Sequence, residues 1–174
     1  MATVINARGI VADNWQRLEA APWLQVGESG LLPDFPVAAD LAVPLALWRL
    51  RREDLLARRG RNGVRLEAHE DPASLGADLG ALALIEVNFP AFGDGRGFST
   101  ARLLRERHGY RGELRAVGAA VRDHLYFMEQ CGFDAFTLRE GEDPAEALAA
   151  LGDFSEAYQA SAARPQPLFR WRAA

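Results

Sequence analysis

The chain has 174 residues and a net charge of −4, with 49% hydrophobic and 25% charged residues, which predicts one domain with a sizeable core and argues against nucleic acid as a partner. No apolar run approaches the roughly 20 residues of a membrane helix, and the first residues lack the basic and apolar parts of a signal peptide, so the expected location is the cytoplasm. The sequence has no lysine and a single cysteine, which excludes a lysine Schiff base and argues against a protein-held metal or redox cofactor.

The N-terminal residues predict a short β-hairpin, because apolar pairs at 4–5 and 10–11 flank a turn-like sequence at 6–9. Residues from about 13 to 42 are interrupted by Pro and Gly and are predicted to form an irregular cover over the core. The expected anchors of this cover are Trp15, Trp23 and Phe35. Residues 1–42 are therefore assigned to the N-terminal part of a single domain that spans residues 1–174.

Strand-like and helix-like segments alternate from residue 43 to about 160. The predicted strands lie near residues 44–48, 64–68, 82–87, 113–117 and 134–138. The predicted helices lie near residues 52–59, 71–80, 98–108, 119–131 and 143–158. Asp71 and Asp143 stand as N-caps before prolines. The alternation predicts an α/β fold, a single three-layer domain with a mostly parallel five-stranded sheet and helices on its faces, plus the short N-terminal β-hairpin.

The tail at residues 161–174 is extended, aromatic and basic. One interpretation is a strap that covers the core. The other is a docking peptide for a partner, because exposed aromatic side chains are costly unless they are buried.

A glycine-rich loop follows the strand predicted at 82–87 and precedes a helix. Because ligands collect at the carboxyl ends of parallel strands and a helix N-terminus favours an anion, this loop is a candidate anion or substrate site. Its candidate ligand-binding residues are Asp94, Arg96, Ser99 and Arg102. They are expected beside the carboxyl ends of the 82–87 and 113–117 strands, and the alternative is a structural loop.

The glycines of this loop do not predict dinucleotide binding, and its polar residues also have structural explanations. Its three alternate glycines resemble a dinucleotide fingerprint, but Phe98 stands where the last glycine is required, so NAD(P) binding is not expected. Asp94 and Ser99 can act as local caps. Arg102 can form a helical ion pair with Glu106 on a solvated face.

Three more residues complete the candidate ligand-binding set. Arg115 lies between apolar neighbours in a predicted strand, so it needs a partner; it forms either a structural ion pair, with Glu86 as one candidate, or part of the site. Gly118 ends that strand and marks either close approach to a ligand or a tight turn. Asp123 lies early in the next helix, where the helix dipole favours a carboxylate.

Two other residues of the helix predicted at 119–131 have reactive side chains. His124 is either a core or boundary residue or a general acid or base. Cys131 is expected to be a buried structural thiol, because no cationic neighbour is evident to activate it. The histidines show no metal-ligand spacing, so no metal site is predicted.

Several short sequence motifs between residues 89 and 136 resemble motifs of one bacterial family. They are Phe89-Pro90, Asp94-Gly95-Arg96-Gly97-Phe98-Ser99, Ala101-Arg102-Leu103-Leu104-Arg105, Gly112-Glu113-Leu114-Arg115-Ala116-Val117-Gly118, Arg122-Asp123 and Cys131-Gly132-Phe133-Asp134-Ala135-Phe136. The family carries a domain of unknown function, and its members are labelled as oxidoreductases or accessory proteins of assimilatory sulfite reduction. The sequence departs from the family pattern at His124, where Gln is expected, and at Gln130, where Arg is expected.

The resemblance implies an accessory protein of assimilatory sulfur metabolism that acts with sulfite reductase or its electron donor. The residues themselves suggest an alternative, an enzyme or sensor that binds a small anion or nucleotide through the 93–102 loop. A flavin or nicotinamide oxidoreductase ranks last, because no nucleotide fingerprint is present. No bound cofactor is expected.

Overall fold

The computed structural model describes residues 3–27, 30–153, 160–164, 166–167 and 170. Within these residues the strands are β1 (Thr3–Asn6), β2 (Gly9–Ala12), β3 (Gln16–Arg17), β4 (Leu41–Pro44), β5 (Asn62–Leu66), β6 (Leu82–Phe89), β7 (Glu113–Gly118) and β8 (Ala135–Thr137). They form one sheet of eight strands in the order β2-β1-β8-β7-β6-β5-β4-β3.

The sheet is mixed. Neighbouring strands from β3 to β8 are parallel, whereas β1 is antiparallel to both β2 and β8. The α/β class and the N-terminal hairpin are confirmed. The prediction of a five-stranded sheet is wrong, because the hairpin joins the sheet as two further strands and the supposedly irregular 13–42 segment supplies β3 and the start of β4.

The sheet is curled. Its two edge strands, β2 and β3, are separated by only residues 13–15, and the step from Ala12 to Gln16 spans at most about 14 Å. In a flat sheet of eight strands the two edges would lie roughly 34 Å apart. The edges must therefore approach each other, and residues 9–18 form one segment that pairs with β1 at its start and with β4 at its end.

The curl gives the sheet two different faces. The outer face carries alternate apolar residues such as Ile85, Val87 and Leu114, which pack in one large cluster with the helices. The inner face carries Leu84 and charged residues, and the side chain of Trp15 packs there. The buried hydrophobic side chains of the described α-helices all join the outer cluster, so in the described part of the chain helices cover one face and the predicted three-layer arrangement is wrong.

The described helices are short. They are α1 (Ala20–Trp23), α2 (Leu45–Leu50), α3 (Arg52–Leu56), a 3-10 segment (Pro72–Ala81), α4 (Arg96–Arg102), a π-helical segment (Leu103–Arg107), α5 (Arg122–Gln130) and α6 (Pro144–Ala150). Asp71 and Asp143 accept hydrogen bonds from backbone N–H groups of the first turns, as their predicted N-cap roles require.

The strand predicted at 44–48 is wrong, because β4 ends at Pro44 and α2 begins at Leu45. A short apolar run does not distinguish a buried strand from a buried helix, and Leu and Ala favour helix. The 71–80 helix is instead a 3-10 segment interrupted at Gly76, whose φ is 45°. The helix predicted from 119 begins at Arg122, because Val121 is still extended.

Two anchors of the N-terminal cover are confirmed. Trp15 and Phe35 are buried, and Trp23 stacks on Phe35 with 4.9 Å between ring centroids. The predicted end of the last helix, near residue 158, lies outside the described residues, as does half of the tail from 161 to 174. No helix among the described residues is long and apolar enough to cross a membrane.

Candidate functional site

The glycine loop runs from the carboxyl end of β6 to the start of α4. Gly97, in the first turn of α4, is buried against the ring of Phe89, and a Cβ there would lie 2.5 Å from that ring. The glycine therefore allows α4 to pack directly on the end of β6. This packing role accounts for one of the three alternate glycines without a ligand.

Asp94 and Arg96 bind each other. The Nε and NH2 groups of Arg96 donate to the two oxygens of Asp94 at 2.9 and 2.6 Å, and the backbone N–H of Arg96 donates to the same carboxylate. These hydrogen bonds lower the pKa of Asp94 to about 2. The loop thus brings two predicted site residues together as an ion pair at the protein surface.

We expect the pKa of the Asp94 carboxyl to be about 2 in the native protein and higher in Arg96→Ala, where the side-chain hydrogen bonds are lost and the backbone N–H of residue 96 remains as a donor. A lowered pKa means that the folded state favours the carboxylate, so the stability from this pair is present above the ordinary pKa and is lost as the pH falls through about 2. Carbon-13 NMR titration of the carboxyl measures both values. An unchanged pKa in Arg96→Ala, with Asp134 as the internal reference, would contradict the pairing.

Ser99, Arg102 and Asp123 lie at the surface. The Nε of Arg102 donates to Glu106 at 2.9 Å, which is the helical ion pair proposed as the simpler explanation. Ser99 and Arg102 line the same shallow groove. Asp123 is exposed, and its nearest charged partner is the adjacent Arg122 at 3.8 Å. The structure therefore brings Ser99 and Arg102 together and places Asp123 on a different helix.

Gly118 occupies a tight turn at the carboxyl end of β7. Its φ is +86°, and a Cβ there would lie 2.5 Å from the carbonyl oxygen of Phe89. The next residue, Ala119, donates its backbone N–H to that same carbonyl at 2.7 Å. Glycine is required at this position because the ends of β7 and β6 lie so close together. This agrees with the tight turn, the second of the two roles considered for Gly118.

Arg115 lies on the inner face, opposite Glu86 of β6. Its guanidinium contacts Asp13 at 2.9 Å, Glu113 at 2.5 Å and Glu86 at 3.6 Å. Arg17 donates to both Asp13 and Glu86 at 2.6 Å. The predicted contact between Arg115 and Glu86 is confirmed, and the pair belongs to a larger network of five charged side chains.

The burial of this inner-face network indicates a structural role. Glu86, Asp13 and Arg115 are almost completely buried. Burial by itself would raise the pKa of Asp13, but hydrogen bonds from Arg17 and Arg115 outweigh burial and lower it. The sequence signal for Arg115 was its apolar surroundings. No comparable signal marks Asp13 and Arg17, because they come from the segment predicted to be irregular cover.

An aromatic patch lies beside the glycine loop. It consists of Phe92, Phe98, His124 and Phe127. Phe92 stacks on His124 with 4.4 Å between centroids, and Phe98 contacts His124 and Phe127 edge-on at 5.9 and 4.9 Å. Phe92 and Phe127 remain 59% and 55% exposed.

This aromatic patch is not among the sites predicted from the sequence. His124 and Phe127 lie three residues apart on α5, on a different side from the buried Leu125 and Met128, and this spacing was an available signal. Phe92 comes from a loop, where no periodicity indicates which way a side chain faces. Large apolar rings held at the surface by one another are a mark of a binding surface.

A separate cavity of about 380 Å³ opens near the amino ends of β7 and β8. None of the seven predicted ligand-binding residues lines it. Its Arg105 donates four hydrogen bonds, to the carbonyls of Tyr110, Gly112 and Gly132 and to the carboxylate of Asp134. This arginine ties the π-helical segment to the ends of the strands.

Among the residues that the structure describes, there is no group of three or more His, Cys, Asp or Glu side chains that could hold a metal ion. Cys131 is buried, as predicted, and burial raises the pKa of its thiol. A raised pKa keeps the thiol protonated and unreactive.

Comparison with known protein families matches residues 63–169 to one family model, described as a bacterial protein of unknown function (DUF934). Among curated proteins, no match is found. The matched region includes the glycine loop and the whole aromatic patch. It excludes Asp13 and Arg17 of the inner-face network.

Proposed function

Because the chain belongs to the DUF934 family of bacterial proteins, whose description assigns no activity, we propose a function from the surface of the protein itself. The protein acts as an accessory protein of assimilatory sulfite reduction. It binds sulfite reductase or the electron donor of that enzyme. The observation that carries the proposal is the exposed aromatic patch. The link to sulfite reduction comes from the resemblance of residues 89–136 to proteins with that label.

The patch has the composition of a protein-binding surface. Aromatic side chains are enriched at the centres of interfaces, where they contribute most of the binding energy. Stacking on His124 holds Phe92 in place before a partner arrives, and a preorganised side chain loses less conformational entropy on binding. Phe98 links the loop to Phe127 on α5. The four rings therefore form one continuous surface.

The alternative function, a small-anion or nucleotide-binding enzyme or sensor at the 93–102 loop, has less support. The two donors of Arg96 that would clamp an anion already bind Asp94, and Arg102 binds Glu106. An anion would have to displace Asp94 from Arg96 and would share Arg102 with Glu106. A thermal melt with sulfite, sulfate and phosphate tests this alternative, because an anion that binds only the folded state raises the melting temperature.

We expect the double variant Phe92→Ser/Phe127→Ser to bind the bacterium's own sulfite reductase, or its electron donor, at least about tenfold more weakly than the native protein. Serine removes the rings at exposed positions, so the fold should be retained. Biolayer interferometry with the purified proteins measures the affinity, and circular dichroism checks the fold.

The matched control is Leu31→Ser/Leu50→Ser, which removes two apolar side chains outside the patch that are 71% and 69% exposed. The control should bind like the native protein. If the native protein binds neither sulfite reductase nor the donor, or if the patch variant binds as tightly as the control, the proposed function is wrong.

A further inference from the structure

The cavity of about 380 Å³ near the amino ends of β7 and β8 contains two opposite charges that do not pair with each other. The charged residues that line it are Arg105, Glu106, Arg111, Glu129 and Asp134. Arg105 binds Asp134 at 2.7 Å, and Glu106 accepts a hydrogen bond from Arg102 at 2.9 Å. Among the described residues, the side chains of Arg111 and Glu129 form no hydrogen bond or ion pair. One guanidinium and one carboxylate are therefore left to meet a ligand.

Glu129 lies where a carboxylate is unfavourable. It is in the last turn of α5, where the negative end of the helix dipole disfavours an anion. Burial raises the pKa of its carboxyl, and the positive charge of Arg164 offsets this effect only in part. A cationic group in the cavity would stabilise the carboxylate against both effects. A titratable group perturbed by burial inside a cleft is a frequent mark of a functional site.

Arg111 is carried by a backbone that is fixed on both sides. Tyr110, just before it, is buried, and its hydroxyl lies within 3.3 Å of two strand carbonyls. Gly112, just after it, accepts a hydrogen bond from Arg105 at 2.9 Å. The Arg111 side chain itself is exposed and borders the cavity. A guanidinium favours a carboxylate, which it can bind through two parallel hydrogen bonds.

The other residues that line the cavity are apolar or glycine. They include Phe133 and Phe136, whose side chains also belong to the buried core, and Leu151. A ligand with a single charge would leave either Arg111 or Glu129 without a partner. A ligand with a carboxylate, an ammonium group and an apolar part matches every wall of the cavity.

We propose that this cavity binds an α-amino acid with an apolar side chain. The carboxylate of the amino acid contacts Arg111, its ammonium group contacts Glu129, and its side chain packs against Phe133 and Phe136. A volume of about 380 Å³ lies in the range of small-molecule sites. No residue of the aromatic patch lines the cavity, so this inference does not depend on the proposed function.

Isothermal titration calorimetry of the native protein with L-leucine, L-methionine and L-phenylalanine tests the inference. At least one of them should bind, and about 10 mM of it should raise the melting temperature by at least about 2 °C. Its N-acetyl derivative lacks the ammonium charge, and its amide lacks the carboxylate. Each derivative should bind at least about tenfold more weakly, because one charge in the cavity stays unpaired.

Arg111→Gln and Glu129→Gln should each weaken binding of the free amino acid at least about tenfold. Both variants should fold, because neither side chain has a hydrogen bond to lose. The amide should bind Arg111→Gln as tightly as the free amino acid does, and the N-acetyl derivative should behave likewise with Glu129→Gln. The matched control is Arg49→Gln/Glu53→Gln, which removes two exposed charges outside the cavity and should change the affinity less than about twofold.

Three outcomes would overturn the inference. They are no binding of any of the three amino acids, equal binding of the free and blocked forms to the native protein, and equal affinity of the cavity variants and their control. The patch variant Phe92→Ser/Phe127→Ser should bind the amino acid like the native protein. Loss of binding in that variant would place the site at the aromatic patch and would also overturn the inference.

Discussion

A fragment of residues 63–169, the extent of the family match, is expected to show no cooperative unfolding transition when it is expressed alone. The fragment lacks β1 to β4, so the sheet loses strands at both of its edges. It also lacks Asp13 and Arg17, which leaves the buried Glu86 without its closest partner and removes one of the carboxylates that contact Arg115. A buried charge without compensation is strongly destabilising.

Thermal melts followed by circular dichroism and the dispersion of amide NMR signals measure this effect. Co-expression with a fragment of residues 1–62 is the positive control, because it returns the missing strands and charges. We expect the pair to regain a cooperative transition. A cooperative transition of the 63–169 fragment by itself would show that the N-terminal segment is dispensable for the fold.

Arg115→Met is expected to lower the free energy of unfolding by about 3–5 kcal/mol. Methionine fills similar space but removes the positive charge that faces Asp13, Glu86 and Glu113. Arg17 then remains as the single cation for two buried carboxylates. The loss comes chiefly from these uncompensated anions and much less from lost packing.

The matched control is Arg102→Met, which breaks an exposed helical ion pair and should cost less than about 0.5 kcal/mol. Urea unfolding of both variants gives the comparison. If Arg115→Met costs no more than Arg102→Met, the inner-face network does not stabilise the fold. The result for Arg115 also decides whether this predicted ligand-binding residue is needed for folding.

The central part of the fold could be predicted from the sequence, since the strands near 64–68, 82–87, 113–117 and 134–138 all correspond to observed strands. Their apolar runs are bounded by glycines and caps, and local patterns of this kind determine local structure. The prediction failed at 44–48, where Pro44 separates a strand from a helix and both are apolar.

The remaining features depend on contacts between distant parts of the chain. Asp13 and Arg17 sit in a polar, weakly patterned segment, and only the curl of the sheet brings them to Glu86 and Arg115. The aromatic patch joins a loop residue, Phe92, to α5. For the glycine loop, the sequence located the polar residues correctly but did not show that Asp94 and Arg96 bind each other.

The pairing of β1 also has a consequence for synthesis on the ribosome. β1 pairs with its hairpin partner β2, but it also pairs with β8, with Val4 opposite Thr137. Val4 and Ile5 therefore stay without this neighbour until the residues of β8 have been made. Contacts so distant along the chain slow folding, because a long loop must close before they stabilise the fold. The hairpin is thus made before the central strands and joins the sheet after them.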